Sequence, residues 1–184
     1  MSNLFCGIDQ SLSSTGIVVL DGDKIVRMSS ISFSELENFE HLSMMNDYFD
    51  DLWINEGFDS PQFKAIGFEG YAFGAKGNTL SRLIELGTIM RLVAYHRKIP
   101  TYIFAPQNLK KFIAGKTFKK DEVRLEVFKR WAFEHKSNDI VDAYAIARYT
   151  QAIHSQLNDK KLIFTSYQEQ AIASWMKNKD GAWV

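Results

Sequence analysis

Cysteine occurs once in the 184-residue chain, as Cys6, which excludes an internal disulfide and a cysteine-ligated zinc site. A reducing cytoplasm is the expected setting. Long apolar runs are missing too, and Met1 to Gly7 has neither the basic start nor the extended apolar core of a signal peptide. A soluble, unprocessed chain with no membrane association is therefore expected. The four histidines, His41, His96, His135 and His154, are scattered without metal-ligand spacing, and none accompanies a serine or cysteine in a nucleophile motif. Repeats and low-complexity linkers are lacking, which predicts one domain over 1–184.

Net charge is a further absence, with 22 basic against 22 acidic side chains, but the two signs are segregated along the chain. Between Ser34 and Asp59 lie eight acids and no Lys or Arg, a segment expected to face away from phosphate. Between Gln107 and Arg130 lie eight bases against three acids. This second stretch, with Lys110, Lys111, Lys116, Lys119 and Lys120, is the candidate phosphate-binding face. A hydrophobic content of 46%, with 14% aromatics, provides for a sizeable packed core.

Leu4 to Asp9 reads as a buried strand, and Gly16 to Leu20 as a second that meets Lys24 to Phe33 across the Asp21-Gly22 turn signal. From Ser34 the period changes: Leu36, Phe39, Leu42, Met45, Phe49 and Leu52 or Trp53 recur at the spacing of one helical face. Lys64 to Glu69 returns to a strand, Gly70 to Gly77 reads as a loop, Leu80 to His96 as a helix and Thr101 to Ala105 as a fifth strand. Helices are expected at Asn108 to Ala114, Asp121 to Glu134 and Asn138 to Leu157, with a basic loop at Gly115 to Lys119. A last helix over 165–177 would be an appendage, with Ser166 and Glu169 as a capping box. A meander followed by alternating strands and helices predicts an α/β fold with a mixed five-stranded sheet, antiparallel first and then parallel, flanked by helices.

Acids stand at suggestive places in this plan. Asp9 and Glu69 each close an apolar strand through a Gly-hydrophobic-acid ending, where an ionised carboxylate is rarely buried without a partner. Asp139 and Asp142 differ by about 300° of rotation on one helix, so they share a face about one turn apart. Acids in a helix's first turn are favoured with no function at all, so that pair alone says little. Strand ends that cluster at one rim would nevertheless bring four carboxylates together. Such hard oxygen donors suit Mg2+, and two divalent cations are a known means of phosphodiester hydrolysis.

GIDQSLSSTGIVVLDG, a lone glutamate ending the next long-range strand, a Pro-x-x-x-Lys segment with a basic loop, and a final D-x-x-D-A-x-A-I-A helix follow one another from about Asn3 to Gln151. Together they resemble the RuvC family of Holliday junction resolvases, which are RNase H-like nucleases. The resemblance implies an RNase H-like domain and a crossover junction endodeoxyribonuclease that makes paired nicks, leaving 5′-phosphate and 3′-hydroxyl ends, in DNA recombination and repair. It implies metal ligands at Asp9, Glu69, Asp139 and Asp142, with Asp9 central, two Mg2+ ions (Mn2+ as a substitute) and no nucleotide cofactor. Lys110 or Lys111, with Lys120, would hold phosphates beside the scissile bond. Two departures stand out. Gln10 and Ser11 replace the family's Pro-Gly, and Ala72 replaces an aromatic that wedges into the junction, with Tyr71 and Phe73 flanking it. The match is closer to phage or viral members, which would place the protein in a bacterial cell or an infected host cell.

The apolar residues from Leu80 to Ala94 cover more than half of their helix, wider than one core face requires. A second copy or deeper burial in the monomer explains this equally, and the near two-fold symmetry of a four-way junction favours a homodimer. Other functional classes make different demands. A broader branched-DNA nuclease would cut flaps and forks as well, a non-catalytic junction-binding protein would lack one of the acids, and an actin-like or sugar-kinase-like ATP-binding fold would need a second domain.

Overall fold

Strand β1, Leu4–Asp9, is buried along its whole length, as a central strand covered on both faces must be. It pairs antiparallel with β2, Ser14–Asp21, which pairs antiparallel with β3, Lys24–Ser32. The β2–β3 connection is the two-residue loop Gly22-Asp23. Gly22 has φ 60°, the left-handed conformation that tight hairpins require and glycine adopts without steric cost. On its other side β1 pairs parallel with β4, Phe63–Glu69, and β4 pairs parallel with β5, Thr101–Phe104. The expected five strands are present. A two-residue strand β6, Ala182–Trp183, adds antiparallel to β5 and completes the order β3-β2-β1-β4-β5-β6.

The protein is described as a computed structural model, covering residues 3–32, 38–54, 63–71, 77–119, 122–159, 162–177 and 182–183. Its helices are α1 (Asn38–Ile54), α2 (Asn78–His96), α3 (Pro106–Ala114), α4 (Val123–Trp131), α5 (Asn138–Leu157) and α6 (Ser166–Lys177). The sequence at 33–37, where α1 was expected to begin, lies outside the described residues. Helix α3 starts two residues before the expected Asn108 because Pro106 occupies its first turn, where a missing N–H costs nothing. Helix α4 is shorter than the expected 121–134. Ala132 turns left-handed at φ 53°, and Phe133 then stacks on Tyr144 with centroids 4.0 Å apart, which draws the chain onto α5. The cap of α6 is Thr165, not Ser166: Gln168 Oε1 accepts from the Thr165 amide at 3.2 Å. This is one half of a capping box, one residue earlier than expected, with buried Gln168 rather than Glu169 reaching back to the cap; the Thr165 hydroxyl donates to the same Gln168 oxygen at 3.2 Å.

Two cores lie on the two faces of the sheet. Leu4, Cys6, Ile8, Ile17, Val19, Ile66 and Phe68 face α1 and α2, where they meet Met45, Phe49, Leu86 and Met90. Phe5, Val18, Leu20, Ala65, Tyr102 and Phe104 face α5, with α3, α4 and α6 packed around it. Tyr149 of α5 is stacked between Phe104 (4.4 Å) and Phe112 (4.3 Å), and its hydroxyl donates to Ala171 O at 2.8 Å. Trp175 of α6 joins this core, donating from Nε1 to Ile103 O at 2.9 Å.

Helix α5 reaches the sheet through glycines. A Cβ on Gly16 would collide with the Asp139 carbonyl, one on Gly7 with the Ala143 carbonyl and Ala147 backbone, and one on Gly67 with the Thr150 hydroxyl. These positions run diagonally across β2, β1 and β4, and Gly7 and Gly67 are register partners. The absence of three side chains thus makes a trough in which the helix backbone lies, and it sets where the first turn of α5 comes down.

Candidate metal and nucleic-acid site

The trough locates the four predicted acids. Asp9 and Glu69 are each two residues beyond a trough glycine, Gly7 and Gly67, so strand alternation puts both on the α5 face. Both stand at the carboxyl ends of adjacent parallel strands, one residue past the last ladder pair, Ile8 with Phe68. Asp139 packs on Gly16, the register partner of Asp9 across β1 and β2. Asp142 directly precedes Ala143, which packs on Gly7. One rim therefore carries two strand ends and the first turn of α5, the usual location of a ligand site in a sheet with parallel strands.

Asp9 is the most enclosed of the four at 8% exposure, while Glu69, Asp139 and Asp142 are half-buried. Ser14, at the start of β2, donates its hydroxyl to Asp139 Oδ2, a partner that local sequence gave no reason to choose. Ser137 occupies the N-cap position of α5 without a side-chain cap bond, and its amide donates instead to His135 Nδ1 at 3.1 Å. His135 thus shapes the approach to the acid-bearing turn.

The donor set fits a hard divalent cation: four carboxylates, no sulfur and no imidazole, at one strand-end rim. As placed, no three His, Cys, Asp or Glu side chains among the described residues close on a common point. What the fold supplies is convergence of the backbone positions. Holding an ion at Asp9, Glu69 and the α5 acids would require the carboxylates to turn inward, with Asp139 leaving Ser14 or sharing it.

The basic residues divide. Lys110 donates to Phe118 O at 2.6 Å and lies over the Phe118 ring at 5.5 Å, so it pins the 115–119 loop against α3. Lys111, Lys116 and Lys119 are exposed. Lys116 follows Gly115, which lies against the Tyr167 ring at the start of α6. Lys119 leads into α4, with its amide bonded to Glu122 Oε2 at 2.8 Å. Lys120, Ala72 and Phe73 lie outside the described residues. Tyr71 is half-buried and turned back on α2, where Arg91 donates to its hydroxyl at 3.0 Å.

No protein-family model matches the chain, and no curated protein matches it in sequence. Solved structures do match. The fold is RNase H-like, a mixed sheet flanked by helices. Within that class it is similar to RuvC: T. thermophilus RuvC in complex with Holliday junction substrate aligns over 87% of this chain and 99% of that one, at TM-score 0.68 and 18% identity. A Thermus thermophilus RuvC structure aligns with the same values. A human cytomegalovirus terminase nuclease domain, Mn soaked and inhibitor bound, aligns over 84% of this chain and 86% of that one at 11% identity and TM-score 0.45.

Proposed function

We propose that the protein is a divalent-metal-dependent, structure-selective DNA endonuclease that resolves four-way junctions by paired nicks. The observation that carries this reading is the rim itself: the Gly16, Gly7 and Gly67 trough lands the Asp139–Asp142 turn beside the ends of β1 and β4, where Asp9 and Glu69 stand. RuvC, whose fold this chain shares, has been seen with a Holliday junction substrate, which supports a branched-DNA partner here.

Asp9, Glu69, Asp139 and Asp142 would hold two Mg2+ ions, or Mn2+ in their place. When bound, such ions activate water and neutralise charge on the phosphate and leaving oxygen during in-line displacement. Asp9, enclosed at the strand end, fixes the centre of the site. Ser14 orients Asp139. Lys111 and Lys119 on the exposed surface, with Lys120, contact flanking phosphates, and Lys110 shapes their loop. The reaction leaves 5′-phosphate and 3′-hydroxyl ends. The exposed face of α2, with Ile84, Leu92 and Tyr95, would meet a second copy and give a two-fold junction one active site per strand. A single domain working in the cytoplasm of a bacterial or an infected host cell completes the reading.

The test is incubation of labelled four-way junction, flap and duplex DNA with and without Mg2+, followed by mapping of the nicks. Symmetric nicks confined to the junction are expected; equal cutting of all three would make the protein a broader nuclease. Asp9→Asn should lower cleavage by about a thousandfold or more, as loss of a group central to transition-state charge does, while junction affinity is retained. Undiminished cleavage in that variant would sink the assignment. The hold of Ser14 on Asp139 favours a second reading, a junction-binding protein without chemistry, for which wild type would bind the junction and leave it uncut at every Mg2+ concentration.

A further inference from the structure

Glycine is among the least favourable residues for a helix interior, yet Gly87 stands buried in the middle of α2. Its missing side chain is occupied. A Cβ there would lie 2.6 Å from Gln10 Oε1 and 2.6 Å from the Tyr71 hydroxyl. Gln10 follows Asp9 directly, and Tyr71 comes two residues after Glu69. The β1–β4 ladder ends at Ile8 and Phe68, and past that point Gln10 Nε2 donates to Glu69 O at 3.3 Å. A side-chain amide thus continues the link between the two strands just where their acids stand. Tyr71 is held in turn, donating to Ile84 O at 3.5 Å and accepting from Arg91, whose guanidinium also covers its ring at 5.8 Å.

We propose that Gln10, Tyr71 and Gly87 form a clasp that holds the ends of β1 and β4 at the separation at which Asp9 and Glu69 share a divalent cation. They are positioning residues and touch neither metal nor DNA. The inference rests on the nuclease reading and adds to it. Two carboxylates on neighbouring strand ends repel, and past the β1–β4 ladder the Gln10 side chain adds a direct tie between the two strands to the outer pairings of Asp9 with Gly16 and Glu69 with Phe104. An acid pair already held apart by a fixed span loses less freedom on taking up an ion, and groups that orient metal ligands govern affinity in this way. The clasp also gives Tyr71 an occupation other than wedging into a junction.

The test measures Mn2+ binding to the full chain by isothermal titration calorimetry, beside thermal melts, for wild type, Gly87→Ala, Gln10→Leu and the double variant. Each single change should weaken Mn2+ binding about tenfold. The double variant should be little worse than either single one, because both break the same contact. Gly87→Ala serves as the sharp case: its Cβ must displace the Gln10 and Tyr71 tips, and if these merely fill space the change moves the melting temperature alone and leaves Mn2+ affinity unchanged. Unchanged Mn2+ affinity in both single variants overturns the clasp. If Gly87→Ala does not fold, Gln10→Leu decides alone. Failure of wild type to bind Mn2+ would instead overturn the nuclease reading on which the clasp depends.

Discussion

The two faces of the sheet are built by opposite means. Toward α1 and α2 the strands project full side chains, Leu4, Cys6, Ile8, Ile17 and Val19, and the helices answer with Met45, Phe49, Leu86 and Met90. Flexible residues such as Met45 can absorb a change of volume there. Toward α5 the same strands present Gly7, Gly16 and Gly67; the helix backbone rests on the first two and the Thr150 side chain on the third. At Gly7 and Gly16 there is no slack, because backbone cannot change rotamer. The acids stand on the α5 face, and the difference shows why: a site built from two strand ends and one helix turn needs the helix placed to a fraction of a side chain's width.

Adjacent residues offer the most severe test of that contrast. Gly7→Val drives a branched side chain into the Ala143 carbonyl and Ala147 backbone and should cost about 4 kcal/mol or more, enough to abolish a cooperative melt followed by circular dichroism. A soluble variant that melts like wild type would remove the trough from the account. On the other face, Met45→Ala should cost about 2–5 kcal/mol in chemical denaturation. Junction cleavage at saturating Mg2+ should stay near the wild-type rate, since no acid is displaced, and a collapse of cleavage in the folded variant would show that the faces are not independent.

The faces should also fail at different ends of the pH scale. Burial pushes Tyr102 up to about 12 and raises Tyr144 and Tyr149, all on the α5 side. Folding keeps these phenols neutral, so their contribution is fully present below about pH 10, the ordinary tyrosine value, and is lost as pH rises from there through about 12. On the α1 side, burial first and then Arg82 lower the pKa of His41. That contribution is present above the ordinary histidine range and fades as pH falls below it. Melts across pH, with absorbance at 295 nm reporting tyrosinate, should show the share of three of the seven tyrosines appearing only with alkaline unfolding; ionisation of all seven well before unfolding would contradict the burial. Burial also raises the Cys6 thiol, so the alkaline series is best run in Cys6→Val. That substitution should itself be the mildest, about 1 kcal/mol, because it nearly conserves volume on the tolerant face. A loss approaching that of Gly7→Val would erase the contrast.

Much of the fold was legible in local pattern. The β2–β3 hairpin follows from Asp21-Gly22, α1 from its three-and-four spacing, and the closing strand acids from two Gly-hydrophobic-acid endings. Shifts occurred where a neighbour distant in the chain decided the outcome. Phe133 left α4 to stack on Tyr144, and Gln168, anchored by Arg130 at 2.7 Å, moved the α6 cap back to Thr165. The site was legible as four acids but not as a geometry. Ser14 with Asp139, and Gln10 with Glu69, join residues 125 and 59 positions apart, beyond the reach of any periodicity. Gly87 was the one available signal for the clasp, a glycine inside an otherwise ordinary helical stripe.

By itself the sequence determined the order and type of the elements, the segregation of charge and which carboxylates end strands or open a helix, because these depend on backbone preference and on side-chain period within a few residues. Only the tertiary structure decided that three strand glycines are a seat for α5, that Asp139 comes down beside Asp9, that Lys110 serves its own loop, and that Tyr71 folds onto α2. Those outcomes depend on which surfaces approach closely enough to exclude a Cβ, and that distance exists only once the chain has closed on itself.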